Sequence, residues 1–244
     1  MTHYLEITEI RNRARQGRTE PFMCSAADGK NYFVKGKSTT LLGCIKEWLG
    51  AHLATAFSLP VPPFAIAVVD SDLLKLYGQD ALSDLGESPT FASQHIYASH
   101  ELRYEVLPQI NTELRRDVLM FDAWVRNEDR SLTHRGGNPN LLWSEGSLHV
   151  IDHNLIFDAE FSSKTFMETH VFHAEMPAVL QDFLLRAHYQ TKMLHALTVW
   201  SSALGSLPKE WCEQNEELGL FDPETTFQHL WDDANGAIWT RLMQ

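Results

Sequence analysis

Between Arg126 and Phe157 the chain sets three polar groups around two short apolar strands, and this stretch limits the fold more than any other. Arg126-Asn-Glu-Asp-Arg130 puts Asp129 in a polar loop. Asn138-Pro-Asn140 leads into Leu141-Leu-Trp143, and after a tight turn Leu148-His-Val-Ile151 ends in Asp152. Pro139 forces the residue before it into extended backbone, which leaves Asn138 and Asn140 as competing candidates to offer an amide oxygen. A carboxylate, an amide oxygen and a second carboxylate delivered by loops and strand ends can orient a nucleophile and hold Mg²⁺ on a nucleotide's phosphates. The expectation is phosphoryl transfer. Asp129 would orient or deprotonate an acceptor hydroxyl, Asp152 would be the direct metal carboxylate, and Asn140 or Asn138 would complete the metal's protein ligands.

Upstream, Phe22-Met-Cys-Ser-Ala26 and Tyr32-Phe-Val-Lys35 read as a hairpin turned at Asp28-Gly29. Ile45, Trp48, Leu49, Leu53, Ala56 and Phe57 recur at helical spacing from about Leu41 to Phe57, and the prolines of Ser58-Leu-Pro-Val-Pro-Pro63 end that helix. Phe64 to Val69 reads as a buried strand, Ser71 to Pro89 as irregular, and Phe91 to Ala98 as a further strand. Helical patterns then dominate: Leu107 to Asn127, Val179 to Leu204, and a last region around Phe227, Leu230, Trp231 and Ile238. Strands with one helix first, then helices around a small hairpin, imply an α+β protein with a β-rich N-terminal lobe and a helical C-terminal lobe. At 244 residues a single bilobal unit fits, divided near residue 100.

Two further residues join the argument. Lys35 ends an apolar strand, where its ammonium can reach a cleft behind the sheet or simply face solvent. Glu47 lies off the large apolar face of the 41–57 helix and shares a side with Ala51 and Ala54, small residues that permit close approach of another element. An acid there calls for a cation, and Lys35 with Glu47 would make a strand-lysine to helix-glutamate pair. The loop Gln16-Gly-Arg-Thr-Glu-Pro21 could turn backbone amides, the Arg18 charge and the Thr19 hydroxyl toward phosphates around Gly17, or be an ordinary loop. Among the twelve histidines, His149/His153 and His170/His173 invite a zinc reading, but four-residue spacing across a strand end does not converge as it would on a helix.

The formal charge of −12 disfavours general binding to nucleic acid or to anionic lipid. Three widely spaced cysteines without a CxxC suggest a reducing compartment, so a cytoplasmic location is expected, with no membrane span.

Tyr32-Phe-Val-Lys35, Glu47-Trp48, Leu59-Pro-Val-Pro-Pro63, Phe121-Asp-Ala-Trp-Val-Arg-Asn-Glu-Asp-Arg130, Asn138-Pro-Asn-Leu-Leu142 and Val150-Ile-Asp-His153 together resemble the HipA-like kinases, over roughly residues 10 to 160. The catalytic-region trio is also similar to that of phosphatidylinositol kinases. The resemblance implies a bilobal protein-kinase-like fold over residues 1–244, with a nucleotide-binding N-lobe to residue 100 and a C-lobe carrying the catalytic loop. It implies ATP and Mg²⁺ as cofactors, Lys35 on phosphate paired with Glu47, Asp129 as the catalytic aspartate, and Asn140 with Asp152 on the metal. Asn154 would take the place of the glycine that follows the metal aspartate. It further implies a Ser/Thr protein substrate, autophosphorylation with Thr19 as the residue to watch, and an antitoxin-like partner. A small-molecule or lipid acceptor, AMP transfer, and a nucleotide-binding pseudokinase are the alternatives.

Overall fold

The computed structural model describes residues 4–14, 20–86 and 88–244. Its first hundred residues are dominated by a closed five-stranded barrel. Strands β1 (Leu5–Arg13), β2 (Phe22–Ala26) and β3 (Asn31–Lys35) pair antiparallel in sequence order. Helix α1 (Leu41–Ala56) leaves the sheet, and β4 (Phe64–Val69) returns to lie parallel to β1. After short helices α2 (Ser71–Tyr77) and α3 (Gln79–Asp84), β5 (Thr90–Gln94) runs antiparallel between β3 and β4 and completes the barrel.

Side-chain alternation fills the barrel: Phe22 and Cys24, Tyr32 and Val34, Ala67 and Val69, and Ala92 point inward, with Leu74, Ala81 and Leu85 of the α2–α3 region closing one end. The sequence pattern misses β1 for a physical reason. Its two core residues, Ile7 and Ile10, are three apart because bulges interrupt its pairing with β2, which breaks the period of two. The stretch expected to be irregular after Ser71 instead forms two short helices. Asp70 caps the first of them, accepting the Asp72 amide at 2.8 Å, and Leu74 anchors it in the barrel end.

The remaining chain joins α1, Ile66 of β4 and Phe91 of β5 in a second, larger core. A two-residue strand β6 (His100–Glu101) and a 3-10 turn lead to α4 (Thr112–Trp124), whose start is set by Asn111 accepting the Leu114 amide at 2.7 Å. The helix is therefore shorter than the expected 107–127. Its last turn yields to Arg126 in left-handed backbone, φ 55°. What reads as a plain loop after Asp129 contains a small hairpin, β7 (Ser131–Thr133) with β8 (Gly136–Asn138). Gly137 is obligatory there, since a Cβ would come within 2.4 Å of the Ser131 carbonyl oxygen.

Strands β9 (Leu141–Ser144) and β10 (Ser147–Val150) form the expected hairpin, turned at Glu145-Gly146 with φ of 49° and 82°. The long helical pattern from Val179 to Leu204 is divided among α6 (Met176–Gln181), α7 (Phe183–Leu197) and α8 (Trp200–Gly205), which follow α5 (Ser163–Thr169). Asp182 caps α7 and ends the continuity. Helices α9 (Lys209–Leu218), α10 (Pro223–Asp232) and α11 (Ile238–Leu242) finish the chain. Helix α1 packs on α7, α8 and α9 as well as on β5, and the Trp48 indole N–H reaches the Ala203 carbonyl at 3.1 Å. Among the described residues, no helix is long and apolar enough to cross a membrane.

Candidate active site

Strand alternation directs Lys35 away from the barrel interior that Tyr32 and Val34 fill, and toward α1. The ammonium is buried. It makes a short ion pair with Glu47 Oε1 and a second, at 2.8 Å, with Asp152 Oδ1. Burial works against this charge, but Asp152 and Glu47 together hold the Lys35 pKa above the ordinary lysine value. Burial pushes the Glu47 carboxyl up, with Lys35 opposing. Desolvation pushes the Asp152 carboxyl up, but the Lys35 charge and the hydrogen bonds to Lys35 and Glu47 together hold it below the usual aspartate range.

The closeness of α1 to the segment after Asp152 depends on glycine. Gly43, Glu47 and Gly50 share a helical face. A Cβ on Gly50 would lie 2.6 Å from His153 Cβ, and one on Gly43 3.6 Å from Asn154 Cβ. The His153 amide donates to the second Glu47 oxygen at 2.9 Å. Sequence reading attributes the close approach to Ala51 and Ala54, but Gly43 and Gly50 are the residues that meet this segment. Left-handed backbone falls on Asp152 and Phe157, φ 60° and 57°, and not on Asn154. His153 is fully enclosed, and burial followed by the nearby Arg130 charge pushes its pKa down to about 3, so the ring is neutral.

Asp129 lies three residues beyond Arg126, and its own amide donates to Asn127 Oδ1 at 3.2 Å. Its Oδ2 accepts the side-chain amides of both Asn138, at 2.8 Å, and Asn140, at 2.9 Å. The two asparagines therefore converge on one carboxylate oxygen. They differ in setting: Asn138 ends β8 and is exposed, while Asn140 is buried in left-handed backbone, φ 47°. No described residue donates to the Asn140 amide oxygen.

Arg130 holds these loops in register, and sequence reading gives it no role. Its side chain is entirely buried. Nη1 donates to the carbonyls of Pro139 at 3.2 Å, Ile151 at 3.4 Å and, at shorter range, Asn140. Nε donates to Asp122 Oδ2 at 2.6 Å, and the same oxygen meets His170 Nε2 at 2.9 Å, while Asp122 Oδ1 accepts from Asn127 at 2.9 Å. Asp122 is desolvated, yet the Arg130 charge and the His170 hydrogen bond bring its pKa down to about 2. One arginine, next to Asp129 in the chain, thus ties down the backbone at Asn140 and just before Asp152. The signal available in the sequence was an aspartate inside an otherwise buried helical turn, Met120 to Trp124.

The donor set suits a hard divalent cation: a partly exposed carboxylate at Asp152 and an unengaged amide oxygen at Asn140. Among the described residues no three His, Cys, Asp or Glu side chains converge as a metal cage. Mg²⁺ takes one or two protein oxygens together with phosphates and water, so a cage is not what it requires. Gly17, Arg18 and Thr19 lie outside the described residues.

The family model for HipA-like kinases matches residues 7–242. Among solved structures, the fold is similar to the crystal structure of CtkA, a proinflammatory kinase of Helicobacter pylori, with a TM-score of 0.52 and 9% sequence identity over 99% of each chain. No curated protein matches the sequence.

Proposed function

We propose that this chain, which belongs to the HipA-like kinase family, transfers the γ-phosphate of ATP to a serine or threonine hydroxyl of a protein, with Mg²⁺ as cofactor. One observation carries the reading: Lys35 is buried between Glu47 and Asp152, so a cation is fixed against the carboxylate offered to the metal. Lys35 would contact the nucleotide phosphates, and Glu47 would keep its ammonium in place. Asn140 and Asp152 would hold Mg²⁺, with Asn138 as the alternative amide, and the bound metal would neutralise charge on the phosphate oxygens. Asp129 has one carboxylate oxygen tied to both asparagines and the other without a hydrogen bond from any described residue. That free oxygen would accept the acceptor's proton as its hydroxyl oxygen bonds to the γ-phosphorus and the bond to the ADP oxygen breaks. The loop carrying Gly17, Arg18 and Thr19 would lie over the phosphates. On the bilobal reading, residues 1–100 would form the nucleotide-binding N-lobe, with the barrel core as its own, and residues 101–244 the C-lobe, with α1 packed into the larger core.

Transfer of labelled γ-phosphate from Mg-ATP, by the protein alone and with cell extract, tests this against Asp129→Ala and Asp152→Ala. Label in one or a few bands, absent with both variants, is the expected result. A labelled small molecule would move the acceptor to that class, and label from the α-phosphate would mean AMP transfer. Nucleotide binding with no label from either position would mean a pseudokinase.

A further inference from the structure

A cavity of about 440 Å³ opens where Leu42 and Lys46 of α1 meet the end of α4 and the segment after Asp152, and none of Lys35, Glu47, Asp129 or Asp152 lines it. Its volume falls within the range of small-molecule sites. The floor is apolar, formed by Trp124, Phe157 and Phe221, with the last two rings stacked at 6.1 Å. Two cations reach it: Lys46 from α1 and Arg126 from the left-handed residue after α4. Neither side chain makes a hydrogen bond or a close ion pair with a described residue.

Half-buried cations over aromatic walls are costly to leave unpaired. The costs show in their titration. Burial pushes the Lys46 ammonium down, with Asp158 only partly opposing, and burial followed by the Arg241 charge does the same to Arg126, against Asp233. The two acids lining the cavity are otherwise engaged. Asp222 caps α10, accepting the Glu224 and Thr225 amides and the Thr225 hydroxyl, and Asp158 accepts the Glu160 amide.

We propose that this cavity binds an organic anion, a phosphate or carboxylate on a flat apolar body, with Lys46 and Arg126 on the anion and Trp124, Phe157 and Phe221 against the body. The site is independent of the phosphoryl-transfer reading. A ligand there would span α1 and the loops that follow α4 and Asp152, an effector's position.

The probe is 1-naphthyl phosphate, titrated by calorimetry into the full chain, with inorganic phosphate and 1-naphthol as half-ligands. One molecule should bind per chain, and each half-ligand should bind about tenfold more weakly or worse. Arg126→Gln and Lys46→Gln should each weaken the probe by about tenfold, the order expected for losing a charge-assisted hydrogen bond. Lys35→Met should leave its affinity unchanged, which separates this cavity from the nucleotide cleft. Asp158→Asn keeps the Glu160 contact but removes a competing charge, so it should tighten binding, an outcome that a damaged fold does not produce. Absence of probe binding, equal binding by the Gln variants, or loss of binding in Lys35→Met would each overturn the proposal.

Discussion

Arg130 directs its guanidinium to backbone carbonyls and to Asp122, and the consequences are first measurable at the level of single residues. The pair is wholly buried, so removing one partner strands a charge. Asp122→Ala is expected to cost about 3–5 kcal/mol in denaturant unfolding and to loosen the loops that carry Asp129, Asn140 and Asp152. Asp122→Asn keeps the shape and isolates the charge. The Asp122 carboxyl has its pKa lowered to about 2 in the fold, against an ordinary 3.8. As pH falls, the unfolded carboxyl therefore takes its proton first. The stabilisation is complete above about pH 4 and disappears toward pH 2. It amounts to roughly 2 kcal/mol, because a tenfold difference in proton affinity between the folded and unfolded carboxyl is worth about 1.36 kcal/mol. The stability gap between wild type and Asp122→Asn should thus shrink by about half between pH 7 and pH 3. A gap that stays constant over that range would mean the ionised carboxylate is not what Arg130 needs. Lys35, Asp129, Asn138, Asn140 and Asp152 stood out as candidates because each is polar at the end of an apolar strand or in the loop beside one. Asp122 and His170 were not, since their link is a contact over 48 positions between two buried groups, which no local pattern encodes.

Helix α1 makes the element-scale case. Its extent was legible from apolar periodicity and the prolines that follow, and Glu47 stood out as an acid off the apolar face. The identity of the close-packed side was not legible, because glycine within a helix reads as a propensity defect until the neighbour is known. Gly50→Ala provides the test. In an open helix the change would gain up to about 1 kcal/mol. Here the new methyl would meet His153 Cβ at 2.6 Å and Ile156 Cδ1 at 2.7 Å, and overpacking of this kind costs about 1–3 kcal/mol. Thermal unfolding should therefore show destabilisation, and nucleotide binding should weaken as α1 carries Glu47 away from Lys35. A stabilised variant would mean that α1 has room to move and that the ion pair does not depend on this contact. The β7–β8 hairpin escaped sequence reading for a related reason: it rests on the positive φ of Gly136 and the close packing of Gly137 on Ser131, and both look like plain loop residues.

Across the whole molecule, the order of strands before helices was enough to give a mixed α+β architecture, and barrel closure was not. Closure depends on β1, where bulges hide the alternation, and on a parallel β1–β4 contact between distant segments. The same distance separates the groups of the candidate site. Lys35 comes from the barrel, Glu47 from a helix in the larger core, and Asp152 from 117 positions beyond the lysine. A ligand that engages them together ties the barrel to the helical core, so nucleotide should stabilise the molecule as a unit. Mg-ADP at about a hundred times its Kd contributes about 2.7 kcal/mol, which for a chain of this length raises the midpoint of thermal unfolding by about 5–10 °C. On the proposed function Lys35→Met should lose most of that shift, because the phosphate contact and the link between the two cores would go together. Asp129→Asn should keep it in full, since on the proposed function Asp129 would face the acceptor and its asparagine contacts can be retained. Differential scanning calorimetry of the three proteins, with and without Mg-ADP, separates nucleotide binding from transfer. If Asp129→Asn loses the shift as completely as Lys35→Met does, the division of labour between these two residues is wrong.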